Sequence, residues 1–315
     1  MKEYGGYIEL DTYHLPLLHE GAVALNAGRN ALAYLIRGRK IRKIRLPLFL
    51  CSSVPEVCER EGIEIGYYHI GEDLRPARLD PLEEGEWLYL VNYYGQMDNA
   101  ELSAYADAFT RVIVDQANAY FQLPLPHVDT LYTCRKWFGV ADGAFLYTDA
   151  VLDEEFPRDE SFERMHFLLG RFERSASEFY SEYTENNHFF VNEPIKRMSR
   201  LTENLLRGID YKAVEKTRVR NFEVLHEVLG PQNPLDLKTA SFMYPFMTTG
   251  GMAVKKVLQQ KKIYIPTLWP SVFDMTGEND VEYRLAADIL PLPIDQRYTE
   301  EDMRYIAENV KECLS

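Results

Sequence analysis

Cysteine is scarce in this sequence, and the few cysteines are not arranged as a metal site or a redox motif. Cys51, Cys58, Cys134 and Cys313 form no C-x-x-C pair, so neither zinc ligation nor a disulfide framework is indicated. The seven histidines show no pair at metal-ligand spacing with acids on the same face. We therefore expect free thiols and no bound metal.

Positive charge and long apolar runs are also in short supply. The net charge is -14 and the isoelectric point about 5.1, which argues against nucleic acid and anionic membranes as partners, because both reward clustered cations. No apolar run approaches the roughly 20 residues of a membrane helix, and "MKEYGGYIELD" lacks the apolar core of a signal peptide. The expected location is the cytoplasm.

The order of patterns along the chain predicts an α/β fold. Helical patterns such as "NALAYLIRG" alternate with strand patterns such as "KIRLPLFL" as far as Asp149, which indicates a mostly parallel, doubly wound sheet. Longer polar helices follow, and a compact α+β pattern closes the chain. Since 315 residues exceed what one core normally organises, we expect two domains. Residues 1–210 would form an N-terminal arm and a large α/β domain, and residues 211–315 a small C-terminal α+β domain.

An acid ends the apolar run of "VIVDQANAYF" (residues 112–121). Ligands of open α/β sheets bind beyond the carboxyl ends of the strands, so Asp115 is a candidate site residue. Asp is also a common turn residue and helix N-cap. The stretch alone leaves these alternatives open.

A lysine follows the next predicted strand, in "LYTCRKWFGVADGAFLYTD". Lys136 comes 21 residues after Asp115, so both side chains would open onto the same sheet edge. A lysine amine can bond covalently to an aldehyde. Most lysines are surface lysines, and this feature on its own is a weak signal.

Together these residues match the needs of pyridoxal 5'-phosphate (PLP). The cofactor requires a lysine for its aldehyde, a carboxylate against its pyridine nitrogen, and hydroxyls and helix N-terminal N–H groups for its phosphate. "LNAGRNALAYL" offers the N–H groups of Arg29 and Asn30 at a helix start, and Thr133 offers a hydroxyl. Arg29 and Asn30 could instead merely cap a helix.

The ordered set of motifs resembles the DegT/DnrJ/StrS family of PLP-dependent sugar aminotransferases almost end to end. "LNAGRNALAYLI" resembles the family's phosphate segment, "VNYYGQ" its His-x-Tyr-Gly motif and "VIVDQAN" its Asp-x-Ala-Gln or Asp-x-Ala-His motif. "KWFGVADGAF" resembles its lysine followed by Gly-Glu-Gly-Gly, and "ILPLPIDQRYTEEDMRYIAENV" its closing strand and helix. The resemblance implies a fold type I PLP-dependent transferase, a homodimer, and a role in sugar amine and polysaccharide biosynthesis.

The resemblance also implies roles for individual residues. Lys136 would hold PLP and move protons, and Asp115 would face the pyridine nitrogen. Asn118 would lie near the cofactor's ring oxygen. The remaining cofactor-binding residues implied are Gly28, Arg29, Asn30 and Thr133 at the phosphate, Cys51, Asn92 and Tyr94 around the ring, and Arg197, from "IKRMS", reaching the partner subunit's site.

Several positions depart from the family pattern. Asn92 replaces the usual His, Leu131 the usual Ser and Ile195 the usual Asn, while Asp142-Gly143-Ala144 replaces acid-Gly-Gly. Cys51 stands where an aromatic side chain often stacks on the ring, and nearby Phe49 could substitute. The departures leave PLP binding expected and put the usual nucleotide-sugar site in question.

Three functions fit these observations. The first is an aminotransferase that converts the keto group of a nucleotide-linked sugar to an amine, with an amino acid as donor. The second is another PLP reaction such as dehydration, which in this family accompanies loss of the lysine. The third is a non-catalytic PLP-binding homologue.

Overall fold

The computed structural model describes residues 4–314; residues 1–3 and 315, which the predicted domain ranges include, lie outside the described residues. Seven strands form the main sheet: β1 (Val23–Leu25), β2 (Lys43–Pro47), β3 (Glu64–Tyr68), β4 (Glu86–Val91), β5 (Val112–Asp115), β6 (Asp129–Thr133) and β7 (Ala144–Tyr147). Their order is β1-β7-β6-β5-β4-β2-β3. Strands β3, β2, β4, β5 and β6 are parallel, and β7 is antiparallel to both β6 and β1. The predicted mostly parallel sheet is confirmed.

Strand β5 lies in the middle of this sheet. All four of its residues are buried, as expected of a strand covered on both faces. Asp115 pairs in register with Val91 of β4 and Leu131 of β6. The acid therefore stands at the carboxyl end of a central strand and not at the rim.

Helices cross over between the parallel strands: α1 (Gly28–Gly38), α2 (Ser53–Arg60) and α3 (Asn99–Phe109). Helix α3 begins with a capping box, in which the Asp98 side chain accepts from the Glu101 N–H and the Glu101 side chain accepts from the Asp98 N–H. A short 3-10 turn, Tyr93–Gly95, follows β4.

The long polar helices expected after Asp149 are divided into shorter ones. A 3-10 turn (Phe162–Arg164) precedes α4 (His166–Glu173), α5 (Tyr180–Phe189) and α6 (Arg200–Leu206). Helix α4 ends where Arg174 leaves helical geometry and the Ser175 hydroxyl donates to Glu178.

A two-stranded antiparallel sheet, β8 (Met243–Met247) with β9 (Ile289–Pro293), forms the centre of the C-terminal part. The surrounding elements are α7 (Tyr211–Leu229), a 3-10 turn (Gly230–Gln232), α8 (Gly251–Gln260), α9 (Val272–Met275), α10 (Val281–Asp288) and α11 (Glu300–Leu314). Helix α11 packs on both α7 and α8. A domain boundary at residue 210 stays a prediction. Within residues 4–314, no helix combines the length and apolarity needed to cross a membrane.

Candidate active site

The carboxyl ends of β1, β2, β4, β5 and β6 all open onto one edge of the main sheet, because β1 runs parallel to β6 through their shared antiparallel neighbour β7. The segments that follow these strands carry the residues predicted from the motifs. This edge is the position at which open α/β sheets bind ligands. The candidate site is therefore assembled from five separate loops.

Asp115 is buried at this edge and makes two hydrogen bonds. Its Oδ1 accepts from the Ala117 N–H at 2.7 Å and its Oδ2 from the Tyr89 hydroxyl at 2.8 Å. Burial raises the pKa of Asp115, while the charge of Lys136 and the two hydrogen bonds lower it. The bond to Ala117 confirms a turn role. No helix begins in the segment after Asp115, so the N-cap alternative is wrong.

Lys136 lies in the turn after β6 and is exposed. Its Nζ lies 5.5 Å from the ring centroid of Phe242, which comes from the segment before β8. The neighbouring Trp137 indole donates to the Ala117 carbonyl at 3.0 Å. Since the Ala117 N–H holds Asp115, this indole ties the lysine turn to the carboxylate turn. The structure thus brings together the two residues predicted to be catalytic.

The N-terminus of α1 adjoins the end of β6. Ala27, the N-cap residue, makes no side-chain capping bond, and the first N–H groups of a helix have no intrahelical acceptor. A Cβ at Gly28 would lie 4.0 Å from the Thr133 Cβ, so the two residues face each other. Among residues 4–314, no side chain or carbonyl pairs with the Thr133 hydroxyl. Free N–H groups and a hydroxyl converge here, as an anion site requires.

Asn30 donates its side-chain and backbone hydrogen bonds to other atoms of the protein. Its Nδ2 donates to the Asn26 Oδ1 and to the Pro194 carbonyl, both at 2.9 Å, and its backbone N–H donates to the Ala27 carbonyl at 3.0 Å. Binding of the phosphate by Asn30 stays a prediction, and this geometry does not favour it.

Asn92 and Tyr94 support the loop after β4. The buried Asn92 side chain closes the loop by accepting from the Met97 N–H and donating to the Met97 carbonyl, both at 2.9 Å. Tyr94 has a left-handed backbone (φ 49°), and its ring lies 6.2 Å from that of Trp269. Asn92 therefore has a structural role, whereas the ring-pocket role of both residues stays a prediction.

Cys51 and Phe49 differ in how far they are buried. Cys51 is exposed before α2, where its Sγ accepts from the Ser53 hydroxyl at 3.2 Å. Phe49 is buried edge-on against Trp269 at 4.5 Å, and its carbonyl accepts from the Tyr93 hydroxyl. Phe49 is thus packed in an aromatic cluster, and Cys51 is the more accessible of the two.

Asn118 contains a buried polar atom without a partner. Its Oδ1 makes no hydrogen bond within the described part of the chain, although its carbonyl accepts from Ser241 and, at 3.3 Å, from the Phe242 N–H. Native proteins rarely leave buried polar atoms unsatisfied, and a missing ligand is one explanation. Asn118 therefore supports a bound molecule at this edge.

Asp142 links the lysine turn to α6. The buried carboxylate accepts from the Ser199 N–H at 2.8 Å and from the Ser199 and Thr202 hydroxyls. Gly143 has φ of 116°, and a Cβ there would approach the Cys134 side chain to 3.2 Å. The Asp-Gly pair is thus explained by packing beneath the lysine turn.

Arg197 is not part of the Asp115–Lys136 group. Its segment pairs with β1, since the Asn26 N–H donates to the Lys196 carbonyl at 3.0 Å and the Met198 N–H to the Ala24 carbonyl at 3.1 Å. The Arg197 side chain lines a cleft of about 140 Å³ that neither Asp115 nor Lys136 lines. Contact with a partner subunit stays a prediction.

Sequence reasoning missed four supporting residues. Tyr89 lies two residues before the end of β4, which places its hydroxyl on Asp115. Trp137 adjoins Lys136 and could have been singled out for that reason. Phe242 and Arg218, whose guanidinium lies 4.4 Å from the Trp137 ring centroid, come from distant segments and carry no local signal.

Comparisons with known proteins support the fold. No protein-family model matches the chain, and no curated protein matches it in sequence. Solved structures do match. DesI, solved in the presence of its TDP-sugar product, has a TM-score of 0.63 at 15% identity over 93% of this chain and 80% of that one.

Two further solved structures are also similar to the chain. NtdA from Bacillus subtilis, with bound cofactor PMP, has a TM-score of 0.65 at 13% identity over 92% of this chain and 72% of that one. A DegT DnrJ EryC1 StrS aminotransferase from Brucella abortus has a TM-score of 0.58 at 15% identity, covering 93% and 86%. The chain has the fold of these enzymes, which confirms the predicted fold class.

Proposed function

We propose that this protein is a PLP-dependent aminotransferase that converts a keto group of a nucleotide-linked sugar to an amine, with an amino acid as donor. The observation that carries the proposal is that Asp115 and Lys136 follow adjacent strands at the ligand-binding edge of the sheet, where the Trp137 indole and the Ala117 N–H tie the two turns together. The shared fold with an aminotransferase of this family and with a PMP-bound protein supports it.

The residues present fit PLP. Asp115 offers a buried carboxylate for a protonated pyridine nitrogen, and Lys136 an exposed amine for the aldehyde. The uncapped start of α1 and the Thr133 hydroxyl suit the phosphate, and Asn118 supplies the unsatisfied amide. Bound there, PLP supplies an electron sink that stabilises negative charge on the carbon beside a substrate amine.

The protein's own groups would orient the bound cofactor and move the proton of the substrate. The Tyr89 hydroxyl and the Ala117 N–H hold both oxygens of Asp115 in place. The carboxylate would therefore pair with the pyridine nitrogen of the cofactor without having to reorient. The Lys136 amine can hold or move a proton as a general base and acid. The Phe242 ring centroid lies 5.5 Å from the Lys136 Nζ and gives one side of that amine an apolar neighbour.

The sugar substrate is supported by likeness to DesI, which was solved with a TDP-sugar product. Among the alternatives, a dehydration is disfavoured because in the family that the sequence resembles this reaction accompanies loss of the lysine, and Lys136 is present. A non-catalytic role makes a distinct prediction: PLP would bind, but no amino donor would change its spectrum.

We further propose a homodimer, a domain boundary near residue 210 and a cytoplasmic location. Apolar side chains stand exposed on the N-terminal arm and on α4, with Tyr7 97%, Ile8 92% and Phe172 92% exposed, as expected of a surface that a second copy covers. The four cysteines are all free thiols, consistent with a reducing compartment. Sedimentation of the purified protein tests the dimer.

The decisive experiment for the function is spectroscopic. We expect the protein with added PLP to absorb well above the aromatic band of the protein, and an amino donor to shift that band. Borohydride reduction followed by peptide mapping should attach the cofactor to the peptide containing Lys136. Labelling at another lysine would sink the assignment, and absence of any new band would remove the cofactor.

A further inference from the structure

A buried cation of α7 contacts the turn that contains Lys136. Arg218 is 3% exposed. Its Nε donates to the Gln296 Oε1 at 3.1 Å, and one of its terminal nitrogens donates to the Phe242 carbonyl at 3.1 Å. Its guanidinium carbon lies 4.4 Å from the centroid of the Trp137 ring, which is a cation–π distance. A side chain of the C-terminal part therefore stacks on the residue next to Lys136.

Gln296 gives Arg218 a second link to the same turn. Gln296 follows β9, and while its amide oxygen accepts from Arg218, its amide nitrogen donates to the Trp137 carbonyl at 2.8 Å. The residue directly after Lys136 is thus held by its ring face and by its backbone carbonyl. Both contacts depend on the position of Arg218.

The apolar neighbour of the Lys136 amine is held by the same arginine. The terminal nitrogen of Arg218 that binds the Phe242 carbonyl also donates to the Ser241 carbonyl at 3.3 Å, and the Phe242 N–H donates to the Asn118 carbonyl at 3.3 Å. Within residues 4–314 the Lys136 amine makes no hydrogen bond or ion pair of its own. Its location therefore depends on its turn and on the Phe242 ring.

Arg218 has no anionic partner to offset its burial. Among residues 4–314 no carboxylate lies within ion-pair distance of it, and the nearby Asp295 forms an ion pair with Arg297 at 2.6 Å. Burial lowers the pKa of Arg218 to about 10, whereas Asp295 acts in the opposite direction. An apolar side chain of similar volume is often as stable as a buried ion or more so. Stability alone therefore does not account for an arginine at this position.

From these contacts we infer that Arg218 is a positioning residue that fixes the Lys136 amine relative to Asp115. It acts through Trp137 and Phe242, and a planar guanidinium is suited to this because it can stack on a ring while donating in its own plane. Small displacements of a reacting group are costly in rate. The consequence for catalysis rests on the proposed function, whereas the effect on the lysine turn does not.

Two variants test this role and a third is the control. Arg218→Lys keeps the charge but loses the planar stack and several donors. Gln296→Met keeps Arg218 and removes only the amide, including the donor to the Trp137 carbonyl. Arg220→Lys is the matched control, because Arg220 lies on the same helix but is half-exposed and faces Glu300.

The first measurement is hydrogen exchange of the protein without cofactor, followed by mass spectrometry. The Trp137 and Phe138 N–H groups donate to the Cys134 carbonyl at 2.9 Å and 3.0 Å, so their exchange reports opening of the lysine turn. We expect exchange about tenfold faster in both test variants, because each loses hydrogen bonds that hold Trp137. The control should match the wild type, and the amides of β5 should be unaffected in all three variants.

Wild-type exchange of the lysine turn in both test variants would overturn the positioning role. If Arg218→Lys also loosens β5, it has a general folding defect and Gln296→Met decides the question. In that case, faster exchange of the turn alone in Gln296→Met supports the inference, and unchanged exchange refutes it.

The second measurement separates rate from affinity in the PLP-loaded protein. The single-turnover rate with an amino donor should fall about tenfold in Arg218→Lys and further in Arg218→Met, which loses every donor, while PLP affinity changes by less than about threefold. A merely structural role would not produce this split. A loosened turn with a wild-type rate would refute the inference. A turn that loosens as expected in a protein that shows no spectral change with PLP would refute the proposed function alone.

Discussion

Asp115→Asn gives the sharpest test of the proposed chemistry, because it removes the charge and nearly preserves the shape. The amide oxygen can still accept from the Ala117 N–H, and the amide nitrogen replaces the oxygen that accepts from Tyr89. The Tyr89 hydroxyl can rotate and accept instead. Since burial already disfavours the charge of Asp115, we expect the free energy of unfolding to change by no more than about 1 kcal/mol.

The effect of Asp115→Asn on function should exceed its effect on stability, and it should differ between PLP affinity and reaction rate. A hydrogen bond to a charged group contributes about 1 kcal/mol more than a neutral one, so PLP affinity should fall by roughly tenfold or less. Loss of a preorganised electrostatic partner typically costs about 10² to 10³ in rate. Turnover should therefore decrease far more than cofactor occupancy.

The assay is a single-turnover reaction of the PLP-loaded protein with an amino donor, followed by its absorbance. Tyr89→Phe is the graded control: it keeps the charge of Asp115, loses one hydrogen bond of about 1 kcal/mol, and should slow the reaction about fivefold. If Asp115→Asn reacts at the wild-type rate, the carboxylate serves only the turn with Ala117, and the catalytic assignment is wrong.

Three further predictions concern other residues. Lys136→Ala should abolish the long-wavelength band while leaving the melting temperature nearly unchanged, because the side chain is exposed; a retained band would refute its role. Mixing inactive Lys136→Ala and Arg197→Ala chains should restore roughly a quarter of wild-type activity by random pairing if Arg197 acts across a dimer, whereas no recovery would place Arg197 in its own subunit's site. Burial lowers the pKa of His19 to about 4 from 6.5, so the neutral ring contributes stability above pH 6.5 that is lost as the pH falls toward 4. Denaturant unfolding should thus show about 2 kcal/mol less stability at pH 5 than at pH 7 from this residue, and a His19→Gln variant with the same pH dependence as wild type would contradict the assignment.

The sequence by itself determined the alternation of elements and the positions of the two central candidate residues, Asp115 and Lys136. A buried apolar run ending on Asp115 and a lysine after the next strand are local patterns, and parallel strands must open onto the same edge. The order of motifs along the chain was equally legible, because strand and helix periodicity are properties of neighbouring residues. This is why the fold class could be predicted without coordinates.

Some local features depend on contacts that a sequence pattern does not show. Strand β6 ends at Thr133, and Lys136 lies in a tight turn in which the Trp137 and Phe138 N–H groups donate to the Cys134 carbonyl at 2.9 Å and 3.0 Å. Asn30 and Asn92 carry amides that could bind a cofactor, but in the structure these amides donate to the Pro194 and Met97 carbonyls. An amide has the same appearance in a sequence whether it binds a cofactor or closes a loop.

Only the tertiary structure decided how the site is supported and where charge is left unpaired. Phe242 reaches Lys136 from more than a hundred residues away along the chain, and the Trp137 indole connects the turns of Asp115 and Lys136. Arg218 contacts the Trp137 ring and the Phe242 carbonyl, although none of residues 4–314 pairs it with a carboxylate. The physical reason is that hydrogen bonding and charge pairing depend on distances across a packed interior, whereas periodicity is encoded in adjacent residues.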